Sequence, residues 1–218
     1  LFILALFGCV VLHELGHALT ARRFGVRTRN ITLWPIGGIA SLERIPDVPR
    51  QELAVAIAGP LVNLVIAGLL WGVLQVAGDG SALAAGDLGK ASFLERLLAV
   101  NLFLALFNLL PAFPMDGGRV LRALLATRLS HVRATEIAAQ VGQGMALLFG
   151  LLGLFWNPFL IFIAFFVYLG AYGEASVSQM QAAFRGIPVS RAMLTDFEVL
   201  GPRDSLARAV ALTLAGTQ

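Results

Sequence analysis

LFILALFGCVVLHELGHALTA (Leu1–Ala21) is an apolar run of bilayer-crossing length that carries three ionisable side chains, His13, Glu14 and His17. On a helix, residues i and i+4 share a face, so both imidazoles can reach one metal ion. Glu14 stands beside that ion rather than under it, where it can accept a proton from a water activated there. Two histidines and one acid suit zinc, which keeps a fourth position open in catalytic sites. With three His and seven Glu in the chain, a chance HExxH is expected in about one such sequence in a thousand. Ionisable groups inside a span are costly, and function is their usual justification.

The rest of the chain agrees with a membrane setting. Of 218 residues, 58% are apolar and 13% charged, about half the charge of an ordinary soluble domain. A soluble cytosolic protein is excluded. The single Cys9 excludes a disulfide-stapled secreted module. Leu1 begins inside an apolar run with neither Met nor a basic n-region, so the chain reads as a fragment and its start is not a signal peptide. Four further apolar stretches follow: Leu53–Ala77, Phe93–Leu110, Ile137–Phe155 and Phe159–Tyr172. The last is short for a span, and Trp156-Asn157-Pro158 before it reads as a tight turn between antiparallel helices. Five spans would put segments 22–52, 111–136 and 174–218 on one side, with fourteen of the sixteen Lys and Arg. That bias makes the basic side cytoplasmic and explains a pI near 9.7 without nucleic acid. Between the first two spans, NITLWPIGGIASLE (Asn30–Glu43) reads as a β-hairpin at the membrane face. Arg119–Leu129 reads as a short amphipathic helix.

A third metal ligand must come from elsewhere, and the candidates are the acids on the cytoplasmic side together with His131. Asp116, in NLLPAFPMDGG (Asn108–Gly118), is the best placed. Pro111 and Pro114 end the third span, and the glycines let the backbone turn sharply, at about the depth of His17. His131 reads as an interfacial residue. Asn63 and Asn108 are amides in apolar helices, read first as interhelical glue. Asn108 is also a candidate to hold a substrate carbonyl or an oxyanion. Gly59-Pro60 is expected to kink the second span, with no part in the chemistry.

HELGH in a span, AGPLVN at 58–63 and NLLPAFPMDGGR at 108–119 together resemble the site-2 protease family of intramembrane zinc metalloproteases, over residues 1 to about 172. The resemblance implies that His13, His17 and Asp116 bind one catalytic Zn2+, that Glu14 is the catalytic base, and that Asn108 positions substrate. It also implies cleavage of a transmembrane protein substrate close to the cytoplasmic face, with the 30–43 hairpin pairing with an unwound substrate strand. Residues 187–218 resemble, through Met193…Asp196-Phe197…Pro202-Arg-Asp204-Ser205-Leu206, the first half of a CBS domain, which implies ATP or another adenine nucleotide and a homodimer through CBS pairing.

The expected architecture is therefore mainly α: a polytopic helix bundle in the lipid bilayer with a small membrane-associated hairpin and the start of a soluble α/β CBS domain. The expected divisions are a protease core at 1–173, a linker helix at 174–186 and a truncated CBS domain at 187–218. Two rivals are a prenyl-protein protease, which would take its third ligand from a Glu on a later helix, and a CBS-regulated transporter or channel with a zinc or ion site.

Overall fold

The computed structural model describes residues 1–34, 37–42, 48–77 and 89–184, with positions 188, 205–207 and 210 beyond them. The chain divides into two compact units, Leu1–Met180 and Gln181–Gln218. Every element and contact below lies in the first unit, save the last turn of the final helix.

Six helices and one strand pair make up the described residues. Helix α1 (Phe2–Arg23) is apolar apart from its His13, Glu14, His17 and Thr20, and ends on Arg22 and Arg23, which face the negative end of the helix dipole. Gly25 stops it by taking a φ of +75°. That left-handed turn lets Gly25 N–H reach the Arg22 carbonyl and Val26 N–H the Ala21 carbonyl. Strands β1 (Thr28–Trp34) and β2 (Gly37–Leu42) follow, paired antiparallel with Asn30 opposite Ser41 and Trp34 opposite Gly37.

Helix α2 (Pro49–Ala77) starts with a proline, whose missing N–H costs nothing in the first turn. Its 29 residues extend about 44 Å. Helix α3 (Phe93–Asn108) opens with a capping box: Ser92 Oγ accepts from Glu95 N–H, and Glu95 Oε2 accepts from Ser92 N–H at 2.8 Å. Helix α4 (Asp116–Ala126) begins three residues before the expected amphipathic helix. Helices α5 (His131–Phe155) and α6 (Phe159–Phe184) are joined through Trp156–Pro158, where Asn157 Oδ1 accepts from Phe159 N–H.

The directions of the first three helices follow from their contacts. His13 meets Asn63 and His17 meets Val55, so α1 and α2 are antiparallel. Phe2 packs edge-on against Phe93, and Asn101 Nδ2 donates to Cys9 Sγ, so α3 runs parallel to α1. The chain leaving α1 and the chain leaving α3 therefore emerge at the same end. Helix α6 joins through Val167 and Ala171, which pack with Ala112, Phe113, Ala138, Ala139 and Ala146. Small residues dominate these contacts and let backbones approach closely.

Two expectations change. Among the described residues four helices, α1, α2, α5 and α6, are long and apolar enough to cross a membrane. Helix α3, expected as a fifth span, has 16 residues, about 24 Å. It is short because Ser92 fixes its start and Pro111 forbids its continuation. Helix α6, expected as a short span ending at Tyr172 with a separate linker helix at 174–186, runs unbroken to Phe184. The polar residues after Tyr172 change its surroundings without breaking its backbone pattern. The CBS-like stretch at 187–218 falls almost wholly outside the described residues.

Candidate metal centre

The i, i+4 spacing of His13 and His17 stacks their rings edge to face on one side of α1, with centroids 4.8 Å apart. What brings a third group to them is the path of residues 109–118. Leaving α3, the chain doubles back over the start of α4, through a cis Phe113–Pro114 peptide. A Cβ on Gly117 would overlap the carbonyl oxygens of Leu109 and Leu110, and one on Gly118 would lie 2.7 Å from Phe113 N. Both glycines sit inside α4 without positive φ. Their need is close approach, not the sharp turn expected of them. Asp116, at the first position of α4, is thereby carried to α1 and is buried there.

Three atoms then converge. His13 Nε2 lies 3.1 Å from Asp116 Oδ2, His17 Nε2 lies 3.1 Å from the same oxygen, and the two Nε2 atoms are 3.1 Å apart. The triangle is equilateral. Ligands about 2.05 Å from a tetrahedral zinc would stand about 3.3 Å from one another, close to what is seen.

The far side of each ring is also fixed. His17 Nδ1 lies 2.7 Å from the Val55 carbonyl, which can only accept, so the proton is on Nδ1. His13 Nδ1 lies 2.9 Å from Asn63 Oδ1. With both Nδ1 atoms occupied as donors, both Nε2 lone pairs point into the triangle. Three electron-rich atoms this close could hold one cation, and the donor set fits Zn2+. Among the described residues this trio is the one such group of three metal-ligating side chains.

Helix α2 makes room for the trio. A Cβ at Gly59 would lie 2.6 Å from His13 Nε2 and closer still to His17 Nε2. Gly16 also meets α2 closely, its absent Cβ 2.9 Å from the Ala58 carbonyl oxygen. Pro60 cannot donate to the Ala56 carbonyl, so the ladder of α2 is interrupted beside the carbonyl that His17 uses. Gly59, expected only to bend the span, is thus part of the site's wall, and Asn63 orients a ring.

The other residues singled out by the sequence lie as follows. Glu14 is buried on α1 between the two histidines and is not one of the converging three. Asn108 is the last residue of α3, half-buried, and no hydrogen bond joins it to the trio. His131 stands at the start of α5, with Nε2 3.9 Å from Glu52 Oε2, away from the trio.

The sequence reading missed an ion cluster beside the centre. Arg122 on α4 is 2% exposed; its Nε donates to Glu52 Oε1 of α2 and its Nη1 to Glu174 Oε1 of α6, each at 2.6 Å. Its guanidinium also lies over the Phe113 ring, 5.2 Å from the centroid. An arginine on an amphipathic helix reads as solvent-facing. The available signal was Glu52, an acid at the mouth of an apolar helix.

The model of peptidase family M50 matches residues 1–87 and 80–149. The chain is 44% identical over 190 residues to a protein named zinc metalloprotease MJ0392 of Methanocaldococcus jannaschii, covering 86% of this chain and 52% of the relative. Stage IV sporulation protein FB of Bacillus subtilis is 32% identical over 157 residues, covering 72% of this chain and 51% of that protein. The chain spans about half the length of these curated relatives. A solved structure titled site-2 protease from Methanocaldococcus jannaschii superposes with a TM-score of 0.63 at 38% identity, covering 90% of this chain and 79% of the other.

Proposed function

The chain belongs to peptidase family M50, and on that premise we propose that it is the core of an intramembrane zinc metalloprotease that cuts a transmembrane segment of another protein near the cytoplasmic face. The observation that carries this reading is the 3.1 Å triangle of two lone-pair nitrogens and a carboxylate oxygen, with an acid buried beside it. We assign His13, His17 and Asp116 as the ligands. Zinc held there would acidify a water toward a pKa of about 7 and polarise the scissile carbonyl.

The chain's own groups supply the rest. Glu14 takes the proton of the attacking water and returns it to the leaving amine. Asn63 and Val55 keep both rings in the tautomer that leaves Nε2 free. Asn108, at the end of α3, donates to the substrate carbonyl. A transmembrane substrate must unwind before its carbonyls can be reached. The strand pair of Thr28–Trp34 and Gly37–Leu42 offers an edge where the freed backbone groups can bond.

Orientation belongs to the same proposal. The chain ends leaving α1 and α3 emerge together, and both continuations are rich in arginine, so that end is assigned to the cytoplasm. Residues 187–218 are assigned to a CBS module that would bring an adenine nucleotide and a second copy to the protein. The test is zinc content and cleavage of a transmembrane model substrate in detergent, with wild type beside Glu14→Gln. Stoichiometric zinc in both with cleavage in wild type alone supports the reading. Equal cleavage by the variant removes Glu14 as the base.

A further inference from the structure

The Arg122 cluster is an expensive construction: a buried guanidinium held by one buried and one partly exposed carboxylate. Such clusters are weak devices for stability, because desolvation consumes most of the attraction, and their best-attested use is to fix register between elements. What this cluster registers is specific. Glu52 lies one turn before Val55, whose carbonyl orients His17, and on the helix whose Gly59 and Asn63 meet the two rings. Arg122 is on the helix that begins with Asp116. Phe113, beneath the guanidinium, belongs to the loop that presents Asp116. Arg122 therefore grips the histidine-orienting helix with one nitrogen, and its ring contact grips the Asp116 loop. Its second nitrogen reaches Glu174 and ties in α6.

We infer that Arg122 is a positioning residue for the metal centre, holding Asp116 in register with His13 and His17, and that Glu174 is its anchor on α6. The inference rests on the proposed ligand set. A guanidinium suits the task because its planar fork bonds two acids in fixed directions, which a lysine ammonium cannot do. The displacement that matters is small. Binding constellations tolerate about 0.5 Å, so a shift of α4 against α2 of that size is enough to disturb the trio.

The experiment uses the full chain in detergent, with Zn2+ affinity measured by chelator competition and the absorption spectrum of the Co2+-loaded protein as a report on ligand geometry. Arg122→Lys keeps the charge and loses the fork. It should weaken Zn2+ binding about 10-fold, the lower range for outer-shell ligand partners, and alter the Co2+ spectrum. Glu174→Gln should weaken it about 3-fold, as expected of a partly exposed ion pair. In an Asp116→Ala background, titrated at zinc concentrations high enough to load the two remaining histidines, Arg122→Lys should add nothing, because its route to the metal is gone; a general loosening of the bundle would add in full.

Wild-type affinity and spectrum in both single variants, or full additivity with Asp116→Ala, overturns the inference while leaving the ligand set intact. Zinc binding by Asp116→Ala equal to that of wild type overturns the ligand set and this inference together. If Arg122→Lys fails to fold, Glu174→Gln decides by itself, since its side chain is 32% exposed and tolerates exchange.

Discussion

Gly59→Ala separates the proposed site from the stability of the bundle. The added methyl would lie 2.6 Å from His13 Nε2 and nearer to His17 Nε2, whereas unstrained carbon contacts fall at about 3.5–4.0 Å. The rings or α2 must therefore retreat by about 1 Å, twice the tolerance of about 0.5 Å for a working constellation. Alanine gains about 1 kcal/mol over glycine within a helix, and overpacking costs about 1–3 kcal/mol. The net change in apo stability is thus a loss of about 2 kcal/mol or less. Zinc affinity should fall by at least the 10–100-fold typical of outer-shell disruption, and cleavage should vanish. Chelator competition, thermal melting of the apo protein and substrate cleavage read the three quantities separately. A Gly59→Ala protein that binds zinc and cleaves like wild type would show that the rings do not lie against α2, and would refute the reasoning.

Other changes probe the remaining parts. Asp116→Ala should reduce bound zinc from stoichiometric to trace amounts by metal analysis while the helix content, read by circular dichroism, and the apo melting temperature stay near wild type. Asn63→Leu removes the acceptor that holds His13 and should weaken zinc binding about 10-fold, a loss visible in the same chelator titration. Gly117→Ala drives a methyl into the Leu109 and Leu110 carbonyls, backbone atoms that cannot rotate away, so apo melting temperature should drop further than for Gly59→Ala and zinc content should fall with it. Removing zinc with a chelator should abolish cleavage, and added zinc should restore it; irreversible loss would argue against a resident catalytic ion.

The parts legible in the sequence are those whose chemistry and spacing coincide. HELGH declares itself because i, i+4 spacing alone places two rings together, and Asp116 because an acid between Pro-rich and Gly-Gly segments marks a chain reversal. The wall of the site was hidden. Gly59 reads as a bend until α1 is seen crossing α2 at that residue, and Asn63 reads as glue until its oxygen is found on His13. Arg122 was not singled out, because its partners Glu52 and Glu174 come from helices 70 and 52 residues away. Asn108 shows the converse: motif position proposes a role, and its half-buried place at the end of α3 leaves that role to be tested on substrate.

The unequal lengths of neighbouring helices have a consequence for the lipid. Helix α2 extends about 44 Å and α3 about 24 Å, against a hydrocarbon layer of about 30 Å. The long helix fits by leaning or by pushing its polar Arg50–Glu52 end past the boundary. The short one cannot stretch, and Leu102, Phe103 and Leu106 on its exposed flank require acyl chains beside them. Packed beside a full-length span, so short a helix would be accommodated by tilting of its neighbour or by local thinning of the bilayer, a dimple. A dimple beside α3 would draw the headgroups and their water down toward the loop that carries Asp116. Membrane thickness would then become a variable of the reaction: in lipids with longer acyl chains, the route from solvent to the metal centre lengthens.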